Sequence, residues 1–382
     1  MTHVGDIIPY YLRHIGNIDF ETGQTVGLNL IHAILSLVTC LVLLALASLT
    51  IRARPKSPEN RFMFVLLVAE SYRVMATWYN IFPFQGSPEL LEFMQNFRIG
   101  WYICGLTCIM MYVSTVSFYP IKRLEFMTNP IIKNNLWWAI PSIATLIISS
   151  LILLSPGGAV DIIGGAYHVY CADGSALQSA DIMSSKGSPD LVGVCGENAP
   201  YVYMVPGNST VGQLLLIVPV FSAIIAMIFM RKSWKKLAQD PEKENQAIEA
   251  RSLFIGFAGK AIIKGAMVFG IIYMVIRFGD FNLADVATVS ENYGEQALTV
   301  YLLILYGFLF SILFTGMLEG FMFTYGILKN EILGIDETLR KTFSTAIFAT
   351  LGGFSLLLAS EMMEDFLGGG GLIGGVIVGV PL

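Results

Sequence analysis

The residues from Ser252 to Phe278 form an apolar run long enough to cross a bilayer, yet two lysines, Lys260 and Lys264, lie inside it. At about 1.5 Å of rise per residue, Lys260 sits about 10 Å and Lys264 about 16 Å below the membrane surface. A lysine at the centre of a membrane helix costs about 2.5 to 3.5 kcal/mol on insertion scales, so it faces a bundle interior and an anion there. The i, i+4 spacing puts both ammonium groups on one helix face. The rest of the chain has to supply their partners.

A 55% share of hydrophobic residues, a charged share of only 13% and a mean hydropathy of +0.66 over 382 residues describe a polytopic membrane protein. Apolar spans fall near 26–51, 62–84, 99–119, 135–155, 211–230, 253–278, 298–327 and 342–363. The expected fold is therefore an all-α integral membrane protein: a seven-helix bundle over 26–328, then a C-terminal transmembrane hairpin. Residues 1–25 form an extracytoplasmic segment with no removable signal peptide, and 329–341 a cytoplasmic connector. The final piece, 342–382, is a membrane helix followed by a Gly-rich return segment. Gly370, Gly374, Gly375 and Gly379 in that segment allow close helix contact, and with it homo-oligomers or a pore lining.

Sixteen Lys and Arg residues, among them Arg52, Arg54, Lys122, Lys133, Arg231, Lys235, Lys236, Arg251 and Lys329, fall in loops on one side. Arg13, Arg98 and Lys186 are left for the other. By the positive-inside rule the basic side is cytoplasmic and the N-terminus lies outside, at the plasma membrane. The net charge of −5, with the basic residues confined to these short clusters, excludes a nucleic-acid surface.

The outer loop lobe, 156–210, is rich in Gly, Ser and Asp and holds Cys171 and Cys195, which face an oxidising compartment in this topology. A disulfide between them would fasten the lobe over the bundle mouth. Asn208 heads an Asn-Ser-Thr sequon on the same side, a glycosylation acceptor. Cys40, Cys104 and Cys108 read as apolar fillers, and no metal site is expected.

Inside the membrane the charges gather by depth. Glu70 and Arg73, i and i+3 on the second span, lie about 12 to 18 Å from its cytoplasmic end. Glu319 lies about 12 Å from the cytoplasmic end of the seventh, below a polar stripe of Ser311 and Thr315. Glu70, Lys260 and Glu319 thus share one level, with Arg73 and Lys264 slightly deeper. Three readings fit: a fixed ionic lock, a lock that rearranges when something binds outside, or an ion or proton pathway. Tyr112, among many bundle tyrosines, reads as packed or cavity-lining, and His32 as a core residue. Retinal is not expected, because retinal proteins carry their lysine on the last of seven helices and Leu298 to Ile327 holds none. With no Ser/His/Asp arrangement, H-E-x-x-H or P-loop, no enzyme and no cofactor are expected.

The end of the seventh span reads Tyr325-Gly-Ile-Leu-Lys329-Asn-Glu-Ile-Leu-Gly-Ile335, then Asp336-Glu-Thr-Leu-Arg340-Lys-Thr. This run resembles the exit from the seven-helix sensor module of microbial histidine kinases and related signalling proteins. The fourth span beginning with Trp and Pro141, the long outer loop after it and the basic approach to helix six look similar too, so the resemblance covers about residues 26 to 340. It implies a receptor-like protein that binds an outside ligand and signals inward through helices six and seven. An additional membrane segment stands where an output domain follows in that family, so the signal would pass through Leu328 to Lys341 into the eighth helix or to a separate cytoplasmic partner. An ion-coupled transporter or channel using the buried charges is the alternative, and a structural subunit of a membrane complex the third.

Overall fold

The computed structural model describes residues 18–19, 24–75, 84–85, 88–119, 121–155, 165–171, 177–181, 200–206, 210–278 and 295–329. Cys195, Asn208 and the C-terminal hairpin at 342–382 lie outside them, as do most of the N-terminal segment and the connector. Contacts divide the chain into two units, Met1–Gly326 and Ile327–Leu382. Beyond the last turn of helix, the second unit lies wholly outside the described residues.

Seven α-helices are among the described residues: α1 Val26–Ala53, α2 Pro58–Met75, α3 Pro88–Ser114, α4 Pro130–Leu154, α5 Thr210–Leu237, α6 Glu244–Phe278 and α7 Glu295–Lys329. Five segments are long and apolar enough to cross a membrane: Ile34–Ala53, Phe97–Ser117, Pro130–Leu154, Ile217–Leu237 and Pro241–Gly270. The protein is a multi-pass helical chain with the character of a membrane-embedded one. Several helices overrun the apolar spans. A helix continues past the apolar run where polar side chains cap and solvate its last turns. Asp240 caps the 3-10 turn Pro241–Lys243 by accepting from the Glu242 amide at 3.2 Å, and α6 runs on from there. On α4, Asn129 accepts from the Ile131 amide at 2.9 Å just ahead of Pro130.

The α1–α2 hairpin is tight. Pro58 opens α2, where a missing amide hydrogen costs nothing. Asn60 Nδ2 donates to the Thr50 carbonyl at 2.7 Å and Arg61 Nε to the Pro55 carbonyl at 2.8 Å, so the turn is bonded to both helices. Around this hairpin, α2 is the hub. It packs on α1, α3 and α4, and α3 packs on α5, which packs on α6. Tyr72 ties α2 to α3 by donating to the Phe97 carbonyl at 2.5 Å.

α7 closes against α6 and α1 through glycines. A Cβ on Gly259 of α6 would overlap a Leu318 methyl, and one on Gly320 of α7 a Leu43 methyl of α1, so either substitution forces the facing leucine to move. α4 stays at the edge, touching the rest through the stripe Ile140, Ala144 and Ile148 while Leu146 and Leu153 are exposed.

The lobe at 156–210 contains strands β4 Gly165–Cys171, β5 Leu177–Asp181 and β6 Pro200–Pro206. They join β3 Phe84–Gln85 in an antiparallel sheet of order β3-β6-β4-β5, in addition to the helical architecture expected. A two-residue pair, β1 Ile18–Asp19 with β2 Gln24–Thr25, precedes α1. Since β3 links α2 to α3 and β4–β6 link α4 to α5, the sheet marks one end of the chain's helical traverses. The basic loops mark the other.

Candidate functional site

Three helices bring charge to one place, and a fourth brings a hydroxyl. Lys260 of α6 extends between the carboxylates of α2 and α7, with Nζ 2.9 Å from Glu70 Oε1 and 2.5 Å from Glu319 Oε2. The Tyr112 hydroxyl of α3 accepts from the same ammonium and donates to Glu70, and it lies 3.1 Å from Glu319 Oε2. Lys260 Nζ also stands 4.2 Å from the Tyr112 ring centroid, within cation–π range. Arg73 reaches Glu70 from one turn along α2, with Nη1 at 3.1 and 3.3 Å from the two carboxylate oxygens. Phe257 meets the Tyr112 ring edge-on at 5.3 Å and Phe323 at 4.9 Å, which seals the cluster with apolar rings.

All of these side chains are buried, as is Lys264. Lys264 interacts electrostatically with Arg73, Lys260, Glu70 and Glu319. The geometry answers the desolvation problem in part. Two ions removed from water recover their lost hydration only when close contact and hydrogen bonds replace it. Lys260 has three oxygen partners and Glu70 is met by Lys260, Arg73 and Tyr112. Glu319 Oε1 and Arg73 Nε, by contrast, have no hydrogen-bond partner among the described residues.

The structure thus brings together Glu70, Arg73, Lys260, Lys264 and Glu319. Ser311 and Thr315 are buried on the same helix as Glu319, and Thr315 turns its hydroxyl to the Ser311 carbonyl at 2.7 Å rather than into the cluster. Cys171 ends β4, its side chain and all of Cys195 lying outside what is described. The central residue that sequence reasoning treats as packing is Tyr112. It precedes Pro120 by eight positions, which is about 12 Å of helix and the depth of Glu70, so the same counting finds it. Arg98 departs from its expected place in a loop: it lies within α3 and is only 2% exposed.

At the basic end the pairs are of another kind. Lys133 Nζ is 2.5 Å from Glu59 Oε1, and Arg61 lies over the Trp137 ring at 5.5 Å. Burial pushes the Glu59 carboxyl up, but the Lys133 ammonium and Ser57 hydroxyl outweigh it and hold the group below its usual range. Tyr119 donates to Glu249 at 3.2 Å, tying the end of α3 to α6.

No family model matches the chain, and no curated protein matches it either. The functional reading therefore rests on the cluster itself.

Proposed function

We propose that this is a sensor or receptor-like membrane protein of seven spans, α1 to α7, with its N-terminus outside the plasma membrane, in which the charge cluster latches α6 to its neighbours. The observation that carries this reading is Lys260, held at 2.9 Å by Glu70 of α2 and at 2.5 Å by Glu319 of α7. A cation shared by two carboxylates on different helices is a two-state element, because a small shift of α6 breaks both pairs together. α7 also continues through Tyr325 to Lys329, so the first residues of the run that resembles a sensor exit are helical with Glu319. A ligand on the sheet side that favours the unlatched state would move the basic ends of α6 and α7, where a cytoplasmic partner reads them.

A double-mutant cycle in nanodiscs tests the latch. Glu319→Gln and Lys260→Met, singly and together, are expected to show a coupling of about 1 to 3 kcal/mol in unfolding free energy, and less than about 0.5 kcal/mol overturns it. For the switch, spin labels at Arg251 on α6 and Ile131 on α4 should change their separation when Lys260 is Met; an unchanged distance leaves only a static lock. The transporter alternative draws on the bare Glu319 Oε1, since intramembrane carboxylates mark ion paths. Sodium or proton flux in proteoliposomes that Glu319→Gln abolishes would replace the sensor reading.

A further inference from the structure

α5 carries a stripe that begins apolar and ends cationic. Leu214, Ile217, Phe221, Ile225 and Ile228 are all exposed and follow one another by three or four residues, so they lie along one face of the helix. The same spacing leads on to Lys232 and Lys235, which are exposed too. The buried side of α5 is another one, at Ala223, Ala226, Met230 and Ser233. Ile217–Leu237 is among the segments apolar enough to cross a membrane, so the apolar part of the stripe is a surface for acyl chains. From Phe221 to Lys232 the helix rises about 16 Å, half of a hydrocarbon core about 30 Å thick. The chain of a lipid in one leaflet therefore covers the distance from Phe221 to the lysines.

The cations at the end of the stripe are in excess. Arg231, Lys232, Lys235 and Lys236 fall within two turns, and like charges three and four residues apart repel on a helix. Among the described residues Lys236 has an acid, Glu125 Oε1 at 3.7 Å, while Arg231, Lys232 and Lys235 have no ion pair. A fifth cation, Arg251 of α6, is held over the Trp234 ring at 5.4 Å, and that ring stacks on Phe254 at 5.9 Å. Phe126, next to Glu125 in the 3-10 helix Lys122–Thr128, is exposed at the same end, as an apolar anchor at a membrane surface is. α4 differs. Its cation at the basic end, Lys133, is already taken by Glu59 at 2.5 Å.

We propose that this face of α5 is a docking site for an anionic phospholipid, its acyl chain along Phe221, Ile225 and Ile228 and its phosphate between Lys232 and Lys235. Both halves are needed. The apolar stripe alone accepts any lipid and the lysines alone any anion, whereas their continuity over the depth of one leaflet selects a molecule that has a chain and a negative headgroup. Lysine stems lie along apolar surface while their ammonium groups reach headgroup level. A zwitterionic headgroup brings a cation of its own, which the surplus from Arg231 to Lys235 repels. Near a membrane surface one Lys or Arg favours an anionic lipid about fivefold, which is about 1 kcal/mol. In the topology proposed above the site lies in the cytoplasmic leaflet. It does not draw on the latch, to which α5 contributes no charged residue.

The test uses the full chain in nanodiscs of equal phosphatidylglycerol and phosphatidylcholine, with photoreactive p-benzoylphenylalanine in place of Ile228 in one sample and of Trp138 on α4 in another. Both positions are exposed and lie about a turn from a lysine, Lys232 and Lys133 respectively. Irradiation joins the residue to the lipid beside it, and mass spectrometry counts the two lipid classes. The Ile228 position is expected to capture phosphatidylglycerol over phosphatidylcholine by about fivefold, and the Trp138 position by less than about twofold. Lys232→Gln with Lys235→Gln should bring the Ile228 ratio to near one and leave Tm unchanged, because both side chains are exposed. Should the pair of substitutions impair folding, either one alone carries the test, with an expected loss of about twofold. Added sodium chloride should lower the ratio through screening. An unsubstituted chain that captures the two lipids equally at Ile228 overturns the proposal. So does a preference that survives the lysine substitutions, or one as large at Trp138, which would mark a general attraction to the basic end. A preference abolished by inorganic phosphate, at an ionic strength where chloride leaves it intact, assigns the lysines to a soluble anion and overturns the lipid site as well. Nanodiscs present both leaflets alike, so the result does not depend on which side is cytoplasmic. The Glu319–Lys260 coupling is measured apart from it, so the lipid site and the latch can each fail alone.

Discussion

α2 and α4 are neighbours and opposites. α2 carries Asn60, Glu70, Ser71 and Arg73, and buries all four together with Phe62, Met63, Leu66 and Leu67. α4 is among the most apolar helices, yet Leu146 is 66% exposed and Leu153 84%. In water the order would be reversed, because there the apolar face drives inward. Here the apolar helix is at the edge and the charged one at the hub. Burial between helices in lipid is decided by polar contacts and close packing rather than by removal of apolar surface. The contrast is the one expected of a helix whose outer face meets hydrocarbon, and α2 is the helix whose polar groups need the others.

Breaking the hub should cost most. Glu70→Gln strands Lys260 and Arg73 with one carboxylate fewer, and a loss of about 3 to 5 kcal/mol is expected by reversible unfolding in nanodiscs. A loss below 1 kcal/mol would mean the charges are already neutralised by protonation or water. A paired comparison of truncations comes next: Leu66→Ala on α2 should cost about 2 to 5 kcal/mol, and Leu146→Ala on α4 less than about 0.5 kcal/mol. Similar values at the two sites would remove the contrast. Gly320→Val, where α7 meets Leu43, should destabilise by about 1 to 3 kcal/mol through overpacking, read as a fall in Tm.

How legible this was depends on what each feature owes to neighbours. The level shared by Glu70, Lys260 and Glu319 follows from counting residues inward from the basic loops, since helical rise is fixed. That α4 stands aside is a matter of which faces meet, and no spacing in 130–154 declares it. Arg98 was misplaced because the apolar run begins at Ile99 while the helix begins at Pro88, eleven residues earlier. The strands were hidden by composition. Gly, Ser and Asp dominate 156–210, yet Tyr167-His-Val-Tyr and Tyr201-Val-Tyr are β-branched and aromatic runs of strand type, and they pair in the sheet.

A smaller effect than at the hub belongs to the pair that joins α4 to α2 in the basic region. Glu59 titrates below its usual range in the folded protein, so its contribution is present above the unfolded carboxylate value and lost as pH falls through the folded one. Lys133→Met should remove that acid-side dependence at a cost of about 0.5 to 1 kcal/mol, the scale of a partly exposed pair. A pH profile unchanged by the substitution would show that Glu59 is held by Ser57 instead.

The separation of Glu70 from Lys260 by 190 positions has a consequence for the order in which the protein is made. Ribosomes add about 5 to 20 residues per second, so α2 waits about 10 to 40 seconds for its counter-ion. During that interval Glu70 has Arg73, three residues on, as its ion-pair partner. A carboxylate facing lipid is costly, so a chain truncated before Lys260 is expected to leave Glu70 with Arg73 but without its contact to α6.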